Sequence, residues 1–180
     1  MLAVLRTPSC RTLLDLGRGT GQLAHRIRRD LPATRVAGCN FSPGMLARAA
    51  ARNPGGAWVR GDALSLPFRS ASLDAVVSTE AFHWFPNQRA ALAEVVRTLR
   101  PGGRFLLTIV TPPLAVVSHL AAAGSRLLGQ PFHWPTARAL RDALTAAGFE
   151  VEHQRYLLRF PGALLLPPTL TVARRARPHG

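Results

Sequence analysis

The sequence predicts an α/β protein built on one doubly wound, mostly parallel sheet. Short apolar runs alternate with segments whose apolar residues follow a helical period, which is typical of parallel strands joined by crossover helices. The first of these strands runs into a loop with three glycines, Gly17, Gly19 and Gly21. Past Val110 this alternation stops, and two further strand-like segments predict an antiparallel pair. We therefore expect about seven strands, with an antiparallel hairpin at one edge.

The first part of the chain supports this fold element by element. Ser42 has the chemistry of an N-cap, and Pro43 after it suits a first helical turn. A Pro-Gly-Gly sequence at 101–103 predicts a turn before the fifth strand. The predicted strands are 12–16, 35–39, 57–60, 73–78 and 104–110, and the predicted helices are 22–30, 43–52 and 87–99.

The rest of the chain has a different pattern. Pro112 and Pro113 interrupt it, and an apolar helix is predicted within 114–128. Thr136 is expected to cap a helix that continues to about Ala147 and ends at Gly148. Two strands over 149–160 and 169–175 would then form the edge hairpin. We see no linker, so residues 1–180 are predicted to be a single domain.

The charge is strongly positive and consists of arginine alone. The formal net charge is +14, and all 23 basic residues are arginines. Such a surface attracts nucleic acid or anionic lipid. Because no nucleic-acid-binding motif accompanies the charge, we favour a solvated basic face and keep a nucleic-acid partner as the weaker alternative.

Cysteine content and hydropathy limit the class of protein further. Cys10 and Cys39 are too few for a disulfide framework and have no metal-ligand spacing, so we expect a cytoplasmic protein without a metal. The longest apolar stretch, 114–128, is interrupted by polar residues and is shorter than the ~20 residues of a membrane span. We therefore expect no transmembrane segment.

The glycine loop lies where an open parallel sheet binds ligands, beyond the carboxyl end of a strand. Its spacing is G-x-G-x-G from Gly17 to Gly21, with Asp15 two residues earlier. A dinucleotide loop would need a glycine at the position of Gln22, which disfavours a nicotinamide-type oxidoreductase. A phosphate-binding loop is excluded, because no Gly-Lys-Ser/Thr sequence exists. Alone, the loop leaves several nucleotide-type folds open.

Five segments in order and in spacing resemble class I S-adenosylmethionine-dependent methyltransferases. The resemblance extends from about Leu13 to Val110, and it is greatest to the small-molecule branch with the ubiquinone, menaquinone and malonyl-carrier-protein methyltransferases. It implies a Rossmann-like fold, S-adenosylmethionine as cofactor, a cofactor-binding core at 11–110 and a variable substrate side at 111–180. The segments are 15–21 (first motif), 36–46 (second strand and turn), 59–68 (adenine loop), 73–78 with 82–85 (fourth strand and exit), and 91–103 (helix and turn).

The resemblance also implies roles for individual residues. Backbone groups of Gly17, Gly19 and Gly21 would pack against the methionine part of the cofactor, and Asp15 would anchor the loop and the cofactor amino group. By themselves, Phe41 and Met45 also suit core packing, and Asp62 also suits a turn. Their implied contacts are Asn40 with the ribose hydroxyls, Phe41 and Met45 with the adenine, Asp62 and the Ala63 amide with the adenine edge, and Thr79 and Glu80 with the methionine part.

Two positions depart from the pattern that the family usually has. Asn40 replaces an acidic residue, and an amide oxygen is a weaker acceptor for ribose hydroxyls than a carboxylate. On that basis Asn40→Asp should tighten cofactor binding by roughly 1 kcal/mol. Arg18 replaces a small residue, and its side chain could crowd the cofactor or swing out to solvent or toward a carboxylate. The chain also has about eleven residues before its first strand, where the family often carries a helical cap. An open site, a truncated chain or a completing partner would each account for this.

The chemistry implied is methyl transfer to a small-molecule or carrier-bound acceptor. Positioning supplies much of the rate for an already activated methyl group, and some acceptors also need a base. His83 is the candidate base, although structural packing beside Trp84 is the favoured interpretation. The exit from the fourth strand, 78–81, lacks the motif that resembles adenine amino methyltransferases. An RNA-associated methyltransferase, which only the charge favours, and a weakly active or non-catalytic relative remain as alternatives.

Overall fold

Seven strands form one sheet in the part of the chain that the computed structural model describes, which comprises residues 5, 10–17, 21–127, 129, 132–157 and 166–177. Their order is β3-β2-β1-β4-β5-β7-β6. The first five are parallel to one another, which confirms the predicted α/β class and the mostly parallel sheet. The strands are β1 (Thr12–Leu16), β2 (Arg35–Asn40), β3 (Ala57–Arg60), β4 (Leu73–Thr79), β5 (Leu99–Val110), β6 (Phe149–Tyr156) and β7 (Pro168–Arg175).

Five α-helices and one short 3-10 helix connect these strands within the described residues. Three of them begin after a side-chain cap whose oxygen accepts an N–H of the first turn, namely Ser42, Asn87 and Thr136. None of the described helices has the length and apolarity needed to cross a membrane. The helices are α1 (Gln22–Asp30), α2 (Pro43–Arg52), the 3-10 helix (Phe82–Trp84), α3 (Gln88–Thr98), α4 (Ala115–Leu127) and α5 (Ala137–Ala146).

The predicted turn at 101–103 is wrong, because the chain bulges there within a continuous strand. Leu73 of β4 pairs with Leu99, and Ala75 pairs with Arg104, so four residues of β5 bulge out between two paired positions. Gly102 has φ +79°, which only glycine adopts without strain. β5 therefore begins at Leu99, five residues before the start expected from the sequence, and the glycines allow it to resume its pairing with β4 at Arg104.

The edge hairpin is confirmed. β7 pairs antiparallel with β5 from Arg104 to Val110 and antiparallel with β6 on its other side. β6 is consequently parallel to β5, and its last residue, Tyr156, lies at the same edge as the carboxyl ends of β1–β5. β6 ends earlier than the predicted 149–160, and residues 158–160 lie outside the described part.

Apolar side chains cover both faces of the sheet. Leu13 and Leu14, adjacent in β1, belong to two different core clusters because successive strand residues point to opposite faces. One face packs against α1 through Leu23, Ala24 and Ile27. The other packs against α3 and α5, with a cluster that includes Ala91, Leu92, Val95, Leu140 and Leu144. The helices on both faces leave the edge at the carboxyl ends of the parallel strands open for a site.

Candidate functional site

A pocket of about 650 Å³ lies at the carboxyl ends of β1, β2, β3 and β4. Parallel strands place all their carboxyl ends at one edge, so residues far apart in sequence meet there. Most of the predicted cofactor residues lie in its wall: Gly17, Asn40, Phe41, Met45, Asp62, Ala63, Thr79 and Glu80. The wall also includes Leu16, Cys39, Ser42, Gly61, Ala81, Trp84, Phe85 and Pro86.

The loop after β1 contributes Gly17 to the pocket. Gly17 has φ +86°, and a Cβ built on it would lie 2.5 Å from the Ala81 Cβ, so only glycine fits. Its N–H donates to the Cys39 carbonyl oxygen at 2.9 Å, which joins the ends of β1 and β2. Arg18 and Gly19, the next predicted loop positions, lie outside the described residues.

Asp15 and Gly21 do not line the pocket. Asp15 is buried in β1, two residues before Gly17. Gly21 precedes α1 with φ +65°, and a Cβ there would lie 2.5 Å from the ring of Trp58. The last glycine of the loop therefore faces a tryptophan that covers the edge of the sheet.

Asn40 bridges the loops that follow β1 and β2. Its amide nitrogen donates to the Gly17 carbonyl oxygen at 2.9 Å, and its amide oxygen accepts the Ser42 N–H at 2.8 Å. Ser42 in turn caps α2. One side chain therefore sets the separation of two pocket loops and the start of a helix.

Phe41 and Met45 form an apolar wall on the side of α2. Both side chains line the pocket and are exposed to solvent. An exposed phenylalanine beside a cavity is available for contact with a flat ligand group.

Asp62 and Ala63 lie in a short turn after β3. The Asp62 Oδ1 accepts the Leu64 N–H at 2.9 Å, and Ala63 is buried. Next to this turn, burial and then the nearby Asp62 charge raise the pKa of the Cys39 thiol to about 11, so Cys39 is a neutral wall residue.

A salt bridge on α3 holds the same turn from outside the pocket. The Glu94 carboxylate accepts the Leu66 N–H at 2.7 Å and two bonds from Arg97, at 2.7 and 2.8 Å. Arg97 also donates to the carbonyl oxygens of Leu66 and Phe68. The hydrogen bond from Arg97 lowers the pKa of Glu94, so the pair is charged at neutral pH. Both residues lie within the segment 91–103 of the family resemblance, but only tertiary contacts show that they hold the turn after β3.

Thr79 and Glu80 end β4 at the floor of the pocket. Glu80 has φ +52°, and its N–H donates to the Thr108 carbonyl oxygen at 2.8 Å. A non-glycine residue in this region is held there by its surroundings, and such positions cluster at binding sites. Among the described residues, the Thr79 hydroxyl oxygen has no hydrogen-bond partner.

His83 does not line the pocket, although Trp84 next to it does. Its ring packs among Trp84, Phe132 and Trp134, with centroid distances of 4.9, 6.2 and 6.1 Å. Burial lowers the pKa of His83, so the ring is neutral in its aromatic surroundings. The geometry therefore gives His83 a packing position and does not bring it to the site as a base.

Trp84, Phe85 and Pro86 form the pocket wall that sequence reasoning missed. The aromatic run at 82–85 was apparent, but neighbouring positions in a 3-10 helix point in different directions. Only the structure separates Trp84 at the pocket from Phe82 in the core.

Comparison with known proteins agrees with this geometry. A family model described as a methyltransferase domain matches residues 14–107. A demethylmenaquinone methyltransferase of Thermus thermophilus is 32% identical over 177 residues, covering 85% of this chain and 80% of that protein. A malonyl-[acyl-carrier protein] O-methyltransferase of Hahella chejuensis is 41% identical over 105 residues, or 57% of this chain, and the match spans 38% of that protein.

A solved structure shares the fold over nearly the whole chain. It contains a methyltransferase of Haloferax volcanii in complex with the methyltransferase activator Trm112, with a TM-score of 0.80 and 26% identity over 98% of this chain and 88% of that one. The strand order and the pocket beyond β1–β4 define an enzyme of the Rossmann-like methyltransferase class. The chain belongs to the S-adenosylmethionine-dependent methyltransferase family.

Proposed function

We propose that this chain binds S-adenosylmethionine in the pocket and transfers its methyl group to a small-molecule or carrier-bound acceptor. The observation that carries the proposal is the meeting of Gly17, Asn40, Asp62 and Thr79 around one cavity, since each lies at the carboxyl end of a different strand among β1–β4. The bound sulfonium supplies an activated methyl group. The chain then contributes mainly position and the exclusion of water.

The pocket residues fit such a ligand. Gly17 allows close approach of the backbone, because it has no Cβ. The Thr79 hydroxyl oxygen is buried and has no hydrogen-bond partner among the described residues. Asn40 would face the ribose with the free lone pair of its oxygen. Asp62 would accept from the adenine amino group, and the Ala63 N–H would donate to the ring.

Asp15, Gly21 and the loop residue Gly19 complete the proposed cofactor core at 11–110. Because Asp15 and Gly21 lie outside the pocket wall, we assign them to holding the loop in place. Residues 111–180 would complete the acceptor side. No step is assigned to His83, since its ring packs away from the cavity.

Calorimetric titration with S-adenosylmethionine and with S-adenosylhomocysteine tests the proposal. Wild-type protein should bind both, and Gly17→Ala should bind about tenfold more weakly, since its Cβ would lie 2.5 Å from the Ala81 Cβ and would displace the loop from the pocket. Gly124→Ala is the matched control, because nothing lies within 4 Å of its added Cβ. Absence of wild-type binding at millimolar ligand would refute methyl transfer.

The acceptor class needs a separate measurement. The apolar wall of Trp84 and Phe85 favours a flat or acyl acceptor, and the two named relatives act on a demethylmenaquinone and on a malonyl group of a carrier protein. We expect label transfer from methyl-labelled cofactor to the hydroquinone form of a naphthoquinone without its ring methyl, whose ring carbon takes the methyl group and loses its proton. A carboxylate oxygen of a malonyl thioester is the other expected acceptor. Transfer to neither, with cofactor binding intact, would contradict this choice of acceptor and leave the cofactor proposal standing.

A further inference from the structure

The exposed apolar side chains are concentrated at one edge of the molecule. Each large exposed hydrophobic residue of the described chain either is the last residue of a strand or comes after a strand in the sequence. The strands concerned have their carboxyl ends at one edge of the sheet, where β1–β6 all end. A patch of this kind on an otherwise charged protein marks an interaction surface. We call it the apolar edge, and its members are Phe41, Met45, Trp84, Leu114, Val116, Leu120, Leu127 and Tyr156.

Helix α4 supplies the longest part of the apolar edge. Val116, Leu120 and Leu127 are 57%, 68% and 89% exposed, and their spacing of four and seven residues places them on one helical face. The opposite face buries Ser118 and Ser125, which are 6% and 3% exposed. The helix thus presents its apolar face to solvent and its serines to the protein, the reverse of an ordinary surface helix.

Both ends of α4 lie at this edge. Leu114 follows β5 by four residues, and beyond the helix the Phe132 ring contacts Trp84 at a centroid distance of 5.7 Å. The next residue, His133, donates its N–H to the His83 carbonyl oxygen at 2.9 Å. Helix α4 therefore spans the carboxyl edge near the pocket opening and does not descend along a face of the sheet.

The charges around the apolar edge favour an anionic partner. Exposed arginines border it at the end of β3, in α4 and near the end of β6, namely Arg60, Arg126 and Arg155. The acidic residues beyond the carboxyl ends are Asp62 and Glu80, and both line the pocket. The other acidic residues lie within or before strands or in helices: Asp15, Asp30, Asp74, Glu94, Asp142, Glu150 and Glu152.

We propose that the apolar edge docks this protein on the surface of an anionic lipid bilayer. The α4 face would enter the region between headgroups and acyl chains, and the bordering arginines would meet the phosphates. A second copy fits poorly, because two chains of net charge +14 repel each other. A nucleic acid would engage the arginines but would leave the leucines of α4 exposed. The exposed α4 residues Val116, Leu120 and Leu127 do not line the pocket, so the proposal does not depend on the chemistry there.

Co-sedimentation with lipid vesicles tests the proposal without cofactor or acceptor. Vesicles of phosphatidylcholine mixed with phosphatidylglycerol should retain the wild-type chain, and vesicles of phosphatidylcholine alone should retain much less. The Leu120→Ser/Leu127→Ser variant should bind about tenfold more weakly or worse, because two apolar anchors are lost. Leu120→Phe/Leu127→Phe is the matched control and should keep its binding, since it changes the same exposed positions but keeps them apolar.

Thermal melting would check that both variants fold, which their exposed positions favour. Failure of the wild type to bind the phosphatidylglycerol vesicles would overturn the proposal. Equal binding by the serine variant would also overturn it, because the arginines alone would then account for retention. A wild-type dimer in light scattering that the serine variant abolishes would instead assign the apolar edge to a second copy of this chain.

Discussion

Asn40→Asp introduces the acidic residue that the family resemblance implies at this position, and we expect it to weaken cofactor binding. In the structure the Asn40 nitrogen donates to the Gly17 carbonyl oxygen and its oxygen accepts the Ser42 N–H. These partners fix the orientation of the amide, because one can only accept and the other can only donate. A carboxylate retains the bond from Ser42 and loses the bond to Gly17.

The balance of free energies decides the direction of the change. We expect the free protein to relieve the contact between the Gly17 carbonyl and a carboxylate oxygen by moving the loop, so restoring the binding geometry costs about 1–3 kcal/mol. A charge-assisted bond to a ribose hydroxyl returns about 1 kcal/mol over the neutral one. We expect a net loss of about 1 kcal/mol, or about fivefold in Kd. This reverses the gain that the sequence alone predicts for the same substitution.

Calorimetry with S-adenosylhomocysteine and a thermal melt measure the two parts of the effect. Asn87→Asp is the matched control: Asn87 caps α3 only by accepting the Ala90 N–H at 3.0 Å, which aspartate does equally well. It makes the same change in charge and should leave binding unchanged. Tighter binding by Asn40→Asp, with an unchanged melting temperature, would refute the bridging role of the amide.

Three further predictions concern other contacts. Glu94→Gln should weaken cofactor binding severalfold in calorimetry although Glu94 lies outside the pocket, because it loses the paired bonds with Arg97 that hold the turn after β3. His83→Phe should leave methyl transfer intact. Burial lowers the pKa of His83 from 6.5, so the fold favours the neutral ring and loses stability as the pH falls below that value. Denaturation at a series of pH values should show this loss of stability in the wild type and not in the variant. Gly21→Ala should cost about 1–3 kcal/mol of unfolding free energy, and Trp58→Val should relieve part of that cost in a double-mutant cycle.

Local chemistry explains why most of the fold was predictable from the sequence. α2 begins where Ser42 and Pro43 indicate it, because capping and a fixed φ act on adjacent residues. The bulge in β5 was missed because Pro101 and the two following glycines suit a turn as well as a bulge. Only the partner strand decides between them, since Leu73 and Ala75 pair on the two sides of the inserted residues.

The site was less predictable, because a motif indicates which residues gather but not which way each side chain points. Gly17 and Gly21 occupy equivalent places in the glycine spacing, yet one faces the pocket and the other faces Trp58. His83 has the chemistry of a base, yet its neighbour Trp84 takes the place at the cavity. Orientation follows from contacts between distant segments, which spacing along one segment does not contain.

Two contacts from outside the pocket wall and one within it order the loops of the pocket. Glu94 fixes the turn after β3, the Thr108 carbonyl oxygen fixes Glu80 at the end of β4, and the Asn40 bridge ties two loops together. Loops that are already ordered lose little conformational entropy when a ligand binds, so such contacts strengthen binding in addition to any bond made to the ligand. The departure at Asn40 is therefore consistent with an active enzyme, because the amide supplies order where a carboxylate would supply only an acceptor.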